Sequence, residues 1–450
     1  MRWPRPISFK AFSTPTALDR FGRLAQTYSR SFFPPHLVAS MSHALSDGPL
    51  AGLRVIDFTR VVAGPLTAQC LADLGADVIK VERPGSGDDT RQWPPYFKDA
   101  DGEDVLGESV YIQVTNRNKR SITVDIRQPK GQALMKRLMG WADVFIENLK
   151  VGDLDRYGLS YDKVKDEHSH LIYCSVTGFG QTGPYAKRPG YDILAQGAAG
   201  LMSVTGEPDG LPMKVGVAVG DIQAGLHAAV TILAAIHART ATGKGQWIDV
   251  SLLDCQAWGM INFASNYLNS GIVATRNGTA HPSVVPYQVF ESRDGHVILG
   301  VTTDYQFAKF CECAGTSHWV TDDRFATTRA RVENRAILVP LVAEVMATRN
   351  TADWVSALEE AGVSCGPVNR IDQAFQDPHL LAREMIVEMD HGDDRVAQPA
   401  RSPAYPVKLS ETPASYRRPA PTLGQHSREI LHDLGYDDGE IAALRKNGAI

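Results

Sequence analysis

The sequence contains few cysteines, and their spacing would neither bind zinc nor crosslink a small domain. Its six cysteines are scattered over 450 residues, with one C-x-C and no second pair or histidine cluster nearby. This pattern excludes a structural zinc site and a disulfide framework. We predict reduced thiols that pack in the interior, and no metal site.

The chain also lacks an apolar run of the roughly 20 residues that a bilayer requires. Its longest apolar stretch, AAVTILAAIHA at 228–238, stops short of that length. The composition, 43% hydrophobic and 22% charged, is that of an ordinary globular protein. We therefore expect an enzyme-sized protein with two or more cores and no membrane partner.

The dinucleotide motif is absent after the first predicted strand. The turn there is TRVVAGP, whose one glycine departs from the G-x-G-x-x-G of a dinucleotide site, although Glu82 ends the second strand where a ribose-binding acid often sits. No G-x-x-x-x-G-K-[ST] or H-E-x-x-H occurs either. We predict no permanently bound cofactor.

Charge is distributed unevenly along the chain. Residues 1–40 contain six basic side chains and one acid, which leaves −10 for the remainder of a chain whose net charge is −5. This segment is also rich in Ser and Thr, a composition typical of a mitochondrial transit peptide. A disordered tail or a misassigned start codon are the alternatives, and the acidic body argues against a nucleic-acid partner.

Alternating strand and helix patterns predict an α/β fold. LRVIDF, LTAQCLADLG and ADVIKVE form a βαβ unit, and strands such as SITVDI, DVFIEN and LIYCSVTGFG follow. We predict a doubly wound, Rossmann-like large domain and a smaller α+β domain. The predicted boundaries are 1–45 for a transit or disordered segment, 46–265 for the large domain, 270–380 for the small domain, and 385–450 for a C-terminal return to the large domain.

One carboxylate stands out in VGVAVGDIQAGLHAAV at 215–230. An apolar, strand-like run precedes Gly220 and Asp221, and a helix of small residues follows. From residue type and position alone, Asp221 is best interpreted as the N-cap of that helix.

Seven blocks of the sequence resemble the class III CoA-transferase (CaiB/BaiF) family. They are LAGLRVIDFTRVVAGP (50–65), LADLGADVIKVERPGSGDDTR (71–91), NRNKRSITVDI (116–126), ADVFIENLKVGDLDRYGL (142–159), SVTGFGQTGPYAKRPGYD (175–192), VGDIQAGLHAAVTILAAIHARTATGKGQ (219–246) and LGQHSREIL (423–431). The resemblance implies that Asp221 is a nucleophile that attacks an acyl-CoA thioester. An aspartyl anhydride and then an aspartyl-CoA thioester would follow, with no metal or ATP.

The same resemblance implies a coenzyme A site at the carboxyl ends of the strands. The positions that match the family's CoA pocket are Arg60, Val61, Arg83, Val124, Arg127, Asn148, Leu149 and Arg156. Their four arginines can supply cations for the CoA phosphates. Backbone amides near Gly220 and Asp221 are candidate oxyanion donors.

A racemase of the same family uses a histidine in a G-H-D triplet, where this chain has Gly190-Tyr191-Asp192. Tyrosine is a poor base at neutral pH, so the racemase is the weaker alternative, together with a non-catalytic acyl-CoA-binding protein. Tyr191 and Asp192 remain candidate substrate residues, and Asp192 could equally cap the helix that it begins.

Two further blocks are LTAQCLADLGADVIKVERPGSGDDTRQW (66–93) and RNGTAHPSVVPYQVF (276–290). They resemble the branch of the family that transfers CoA from succinyl-CoA to dicarboxylic acids such as glutarate, 3-hydroxymethylglutarate or itaconate. Such an acid requires a cation for its distal carboxylate, and Arg91, Arg276 and His281 are the candidates. The loop GTAHPS at 278–283 replaces the glycine run that closes over the site in another branch. The resemblance further implies an interlocked, ring-shaped homodimer, and the N-terminal segment suggests the mitochondrial matrix.

Overall fold

The computed structural model describes residues 48–450, so the predicted transit segment lies outside the described residues. In chain order the strands are β1 (Arg54–Phe58), β2 (Asp77–Glu82), β3 (Tyr96–Lys98), β4 (Asp104–Ser109), β5 (Lys119–Thr123), β6 (Val144–Glu147), β7 (Ile172–Thr177), β8 (Trp247–Ser251), β9 (Tyr287–Glu291), β10 (His296–Gly300), β11 (Ser364–Pro367), β12 (Ile386–Met389) and β13 (Ala400–Pro403).

The α-helices are α1 (Ala63–Asp73), α2 (Pro129–Trp141), α3 (Tyr161–Val164), α4 (Asp192–Ala198), α5 (Leu201–Val204), α6 (Val219–Thr242), α7 (Leu252–Trp258), α8 (Ile261–Ser270), α9 (Asp304–Ala314), α10 (Thr328–Glu333), α11 (Arg335–Met346), α12 (Thr351–Glu360), α13 (Ile371–Ala374), α14 (Pro378–Ala382), α15 (Ser427–Asp433) and α16 (Asp438–Lys446). Short 3₁₀ helices occupy Asp89–Gln92, Val110–Val114, Leu154–Tyr157 and Ser317–Thr321.

Six parallel strands form the central sheet, in the order β5-β2-β1-β6-β7-β8. Successive strand residues point to opposite faces, so Val55 packs with α1 and α6 while Ile56 packs with α2 and the C-terminal helices. Both faces of the sheet are therefore covered. The prediction of a parallel α/β sheet is confirmed.

The strand order reverses between β1 and β6: after β1 the chain adds strands on one side, and from β6 onward it adds them on the other. β2 and β5 lie on one side of this pair, and β7 and β8 lie on the other. The loops after β1 and β6 consequently diverge and leave a crevice, which is where open α/β sheets bind ligands.

A second core lies in the region 285–363. The antiparallel sheet β11-β10-β9 packs against α9, α11 and α12 around buried aromatic residues that include Phe307, Phe310 and Trp354. The chain then returns, because Ile430 and Leu444 of the two C-terminal helices belong to the same core as α2. The predicted domain boundaries themselves stay predictions.

One local prediction was wrong at the segment around Asp221. Residues 211–218 form no strand, and α6 begins at Val219 and continues for 24 residues, well beyond the apolar run at 228–238. By length and composition alone, α6 is the one described helix that could cross a membrane. Within the protein it packs against α1, where a Cβ on Gly225 would lie 2.9 Å from the carbonyl oxygen of Ala63.

Candidate active site

Asn148 joins the two loops that flank the crevice. Its side-chain oxygen accepts a hydrogen bond from the amide of Arg60 at 2.9 Å, and its amide nitrogen donates to the carbonyl of Arg60 at 2.7 Å. The next residue, Val61, has a φ of 71°, which a β-branched residue adopts only when its surroundings enforce it. Both carboxylate oxygens of Asp88 lie 3.2–3.3 Å from the amide of Val61 and help to hold this turn.

Beneath this turn lies a buried network of charges that the sequence reasoning missed. Lys80 donates to Asp88 at 2.9 Å, and Lys119 donates to Asp57 at 2.7 Å, all four side chains being fully buried or nearly so. Burial acts to raise the pKa of Asp57, but Lys119 and Lys80 together hold it below its ordinary value. The sequence does contain a sign of this network, because Asp57 and Lys80 are charged residues within two otherwise apolar strands. The two residues are paired in the sheet.

All eight residues predicted to bind CoA line two adjoining cavities. The arginine cavity is lined by residues that include Arg60, Arg83, Val124, Arg127, Leu149 and Arg156. The Asp221 cavity is lined by residues that include Arg60, Val61, Asn148, Leu149, Tyr191, Asp192 and Asp221. Arg60 and Leu149 belong to both, so the two cavities meet at the crevice.

Each of the four arginines has an aspartate partner. Asp89 accepts from Arg60 at 3.2 Å and from Arg83 at 3.0 Å, Asp125 accepts from Arg127 at 2.8 Å, and Asp153 accepts from Arg156 at 2.6 Å. The four arginine side chains are 41–77% exposed, and ion pairs at the surface contribute little to stability. An incoming phosphate can therefore take the place of an aspartate at little cost.

Asp221 is the third residue of α6, whose N-cap is Ala218. Interpretation of Asp221 as an N-cap is therefore wrong, and the capping group comes from another helix. Oδ1 of Asp192 accepts from the amides of Gly220 at 2.8 Å and Asp221 at 3.4 Å, while Oδ2 accepts from Gln196 at 2.7 Å. Asp192 thus caps α6 instead of its own helix α4, for which Tyr191 is the N-cap.

The surroundings of Asp221 disfavour its charged form. Burial, and then the negative charge of Asp192, raises its pKa from 3.8 to about 7. The first-turn position favours the anion by only about 0.3–1 kcal/mol, which is smaller than this shift. At neutral pH the free protein therefore contains a mixture of carboxylate and carboxylic acid at Asp221.

Gly220, next to Asp221, leaves room for the carboxylate that caps α6. A Cβ on Gly220 would approach Oδ1 of Asp192 to 3.0 Å, so glycine admits the capping carboxylate. The amide of Gly220 is already bound to Asp192, which removes it from the candidate oxyanion donors.

Further groups around Asp221 were not singled out from the sequence. Burial, and then the charges of Asp221 and Asp192, raises the pKa of Tyr111, which places this phenol within electrostatic range of both carboxylates. Lys150, Lys187 and Arg188 line the Asp221 cavity. A Tyr or Lys in a loop carries no sequence pattern that would have identified it.

The three residues predicted to bind a distal carboxylate lie elsewhere. Arg91 is buried and donates to both oxygens of Glu82 at 2.8 Å. Arg276 donates to backbone carbonyls of the segment 207–210, and His281 accepts from the amide of Ser283 at 3.1 Å. None of the three, and no residue of the loop 278–283, is among the described residues that line the Asp221 cavity.

Comparison with known proteins identifies the family. The model of CoA-transferase family III matches residues 50–427. The chain belongs to CoA-transferase family III. The succinate–glutarate CoA-transferase of Agrobacterium fabrum is 46% identical over 387 residues, which cover 86% of this chain and 96% of that protein. The succinyl-CoA:glutarate CoA-transferase of Mus musculus is 42% identical over 406 residues, which cover 89% of this chain and 90% of that protein.

A solved structure of the family has the same fold. The CaiB/BaiF family protein from Brucella suis superposes with a TM-score of 0.78 at 44% identity, covering 86% of this chain and 100% of that one. The predicted resemblance to family III is thus confirmed. As a family III CoA-transferase, the chain presents the partly buried carboxylate of Asp221 beside the arginine cavity at the crevice of its sheet.

The raised pKa of Asp221 predicts a stability change for Asp221→Asn. Since the folded pKa of about 7 exceeds the ordinary 3.8, the stability that this group contributes is present below pH 4 and lost as the pH rises through 7. We expect asparagine to stabilise the protein at pH 8, by at most about 4 kcal/mol, and to have little effect at pH 4. Thermal unfolding at both pH values measures this, with the exposed Asp254→Asn as control. An equal shift at both pH values would contradict it.

Proposed function

We propose that the protein transfers CoA from succinyl-CoA to a dicarboxylic acid such as glutarate, 3-hydroxymethylglutarate or itaconate. The observation that carries the proposal is that Asp221 lines the same cavity as Arg60, Asn148 and Leu149, and that this cavity adjoins the arginine cavity. The names of the relatives from Agrobacterium fabrum and Mus musculus support succinyl-CoA and glutarate as substrates.

The proposed reaction begins with the ionised carboxylate of Asp221. One oxygen attacks the thioester carbonyl carbon of succinyl-CoA, the C–S bond breaks, and CoA leaves as a thiolate. The product on the enzyme is a mixed anhydride of Asp221 and succinate. The thiolate then attacks the Asp221 carbonyl carbon of this anhydride, which releases succinate and forms an aspartyl-CoA thioester.

The acceptor reverses these steps. A carboxylate of the acceptor attacks the aspartyl-CoA thioester and expels the thiolate, which leaves a second anhydride. The thiolate attacks the acceptor carbonyl of that anhydride and regenerates the Asp221 carboxylate. Anhydrides hydrolyse readily, so the site must exclude water, and the partial burial of Asp221 that raises its pKa serves this need.

The substrate assay tests this proposal directly. We expect the protein, incubated with succinyl-CoA and a panel of C4 to C6 dicarboxylic acids, to form new CoA esters that mass spectrometry detects. Monocarboxylic acids of equal chain length are the matched controls. Absence of any new CoA ester in the parent protein would contradict the proposal.

We further propose that a second copy of the chain covers the apolar surface around α6, α7 and α8, in the interlocked ring-shaped homodimer that the family resemblance implies. Large apolar side chains are exposed on this surface, among them Leu226, Val230, Trp258, Ile261, Leu268, Ile272 and Val273. A monomer rarely leaves so much apolar surface in contact with water. Sedimentation velocity at micromolar concentration should give twice the chain mass of 49.1 kDa, and a stable monomer would contradict the proposal.

Location in the mitochondrial matrix is also proposed, on the basic, Ser/Thr-rich composition of residues 1–40. Residues 1–45 fused to a fluorescent protein should direct it to mitochondria. A fusion that remains diffuse would contradict the proposal.

The aspartate partners of the arginines provide a prediction for CoA binding. Because Asp89 occupies both Arg60 and Arg83, Asp89→Asn should tighten CoA binding by about 3- to 10-fold at low ionic strength, and by less in 0.5 M salt. Calorimetric titration at two salt concentrations measures the effect. Asp322→Asn, which breaks the remote pair with Arg324, is the matched control. Weaker binding of CoA by Asp89→Asn would contradict the CoA site.

A further inference from the structure

The segment 149–151 is a thin wall between two cavities. On one side it lines the Asp221 cavity. On the other side Lys150 and Val151 line a third cavity, the Trp247 cavity, together with Glu147, Tyr161, Ser175 and Trp247. Leu149 packs against the core, but Lys150 and Val151 have open space on both faces, so hydrogen bonds at the start of the wall help to fix its position.

Glu147 provides such a bond at the end of β6. Its Oε2 accepts from the amide of Leu149 at 2.9 Å, and Ser175 lies opposite Glu147 on the adjacent β7, where its hydroxyl favours the charged form of the carboxyl group. The oxygen of Ser175 in turn accepts from the indole nitrogen of Trp247 at 3.0 Å. The ends of β6, β7 and β8 are thereby connected to the wall.

The environment of Glu147 disfavours a charge. The side chain is 5% exposed, it forms no ion pair with any residue in 48–450, and burial raises its pKa to about 7. A buried carboxyl group without a cation adds little to stability, and an apolar residue of similar size would remove its desolvation cost. Its presence therefore points to a function for the bond to Leu149.

We propose that Glu147 is a positioning residue for coenzyme A, acting through the amide of Leu149. Together with Asn148, whose side chain binds the backbone of Arg60, it fixes the junction where the Asp221 cavity and the arginine cavity meet. Glu147 does not touch the substrate. The inference rests on the proposed function for the identity of the ligand.

The test compares Glu147→Gln with Glu147→Leu. The amide oxygen of glutamine can still accept from Leu149, whereas leucine leaves that amide without an acceptor. We expect Glu147→Gln to stay within about 2-fold of the parent, and Glu147→Leu to raise both the Kd for CoA and the KM for succinyl-CoA by about 10-fold. The kcat should change by less than about 2-fold, because Asp221 is untouched.

A double variant separates positioning from a general loss of structure. Asn148→Ala acts on the same junction, so its effect on the Kd combined with Glu147→Leu should be less than the product of the single effects. The exposed Glu388→Leu on β12 is the matched control and should bind CoA like the parent. Should Glu147→Leu fail to fold, Ser175→Ala removes the donor that orients Glu147 and should raise the Kd by about 3-fold.

Several outcomes overturn the inference. Equal Kd values for Glu147→Leu and Glu147→Gln would do so. A fall in the kcat of Glu147→Leu at an unchanged Kd would also do so. If Glu147→Leu does not fold, a parental Kd in Ser175→Ala would overturn the inference. Because these readings use binding of CoA itself, they are independent of the acceptor acid. A parent protein that binds CoA and transfers none would contradict the proposed function and leave the Kd comparison decisive for Glu147.

Discussion

Asp221→Ala is expected to lower the rate of CoA transfer from succinyl-CoA by at least about 10⁴-fold. Alanine lacks the carboxyl group whose oxygen bonds to the acyl group and whose carbon bonds to the sulfur of CoA. The variant should still bind CoA near the parental Kd, since the arginine cavity is lined by other residues. Initial rates by mass spectrometry and calorimetric titration of CoA measure the two effects separately.

Asp221→Asn strengthens this experiment. Asparagine preserves the size of the side chain and is uncharged, so it distinguishes loss of the nucleophile from loss of packing. The exposed Asp254 in the first turn of the adjacent α7 is the matched control, and Asp254→Ala should transfer CoA at the parental rate. Transfer by Asp221→Asn within 10-fold of the parent would contradict covalent catalysis by Asp221.

Asp192→Asn is expected to move the acid limb of the activity profile to lower pH. The negative charge of Asp192 contributes to the raised pKa of Asp221, after burial. Removing it lowers that pKa, by roughly one unit for a neighbouring carboxylate, so a larger fraction of Asp221 is ionised at pH 6. The ratio of kcat/KM at pH 6 to that at pH 8 should therefore rise.

Asp192→Ala separates this charge effect from capping. Asparagine can still accept from the amide of Gly220, whereas alanine leaves the start of α6 uncapped at a cost of about 0.5–2 kcal/mol. We expect both variants to shift the pH profile, and only the alanine variant to lose thermal stability and activity at pH 8. An unshifted acid limb in both variants would show that Asp192 does not influence the ionisation of Asp221.

The sequence predicted the features that depend on local pattern. Apolar strands such as β1 and β2, with helices between them, indicated a parallel sheet, which is confirmed. The eight positions that the family resemblance implies for CoA line the two adjoining cavities, because residues at the ends of parallel strands meet at one edge of the sheet. Their role in binding CoA stays a prediction.

Features that depend on distant partners could not be read in this way. Asp192 caps a helix that begins 27 residues later, and Arg91 is bound to Glu82 in the interior, where its candidate role at a distal carboxylate has no open cavity. The apolar run before Asp221 resembled a strand, yet it has no neighbouring strand to pair with. Tertiary contacts override local propensity in each case.

The covalent state of Asp221 tests the central claim most directly. The protein is incubated with succinyl-CoA without an acceptor, quenched in acid and digested. The mass of the peptide that contains Asp221 is then measured by mass spectrometry. We expect a peptide heavier by one CoA less one water, with the thioester located at Asp221, and no such adduct in Asp221→Asn. Active parent protein that accumulates no adduct at Asp221, or that carries it on another residue, would show that Asp221 is not the nucleophile.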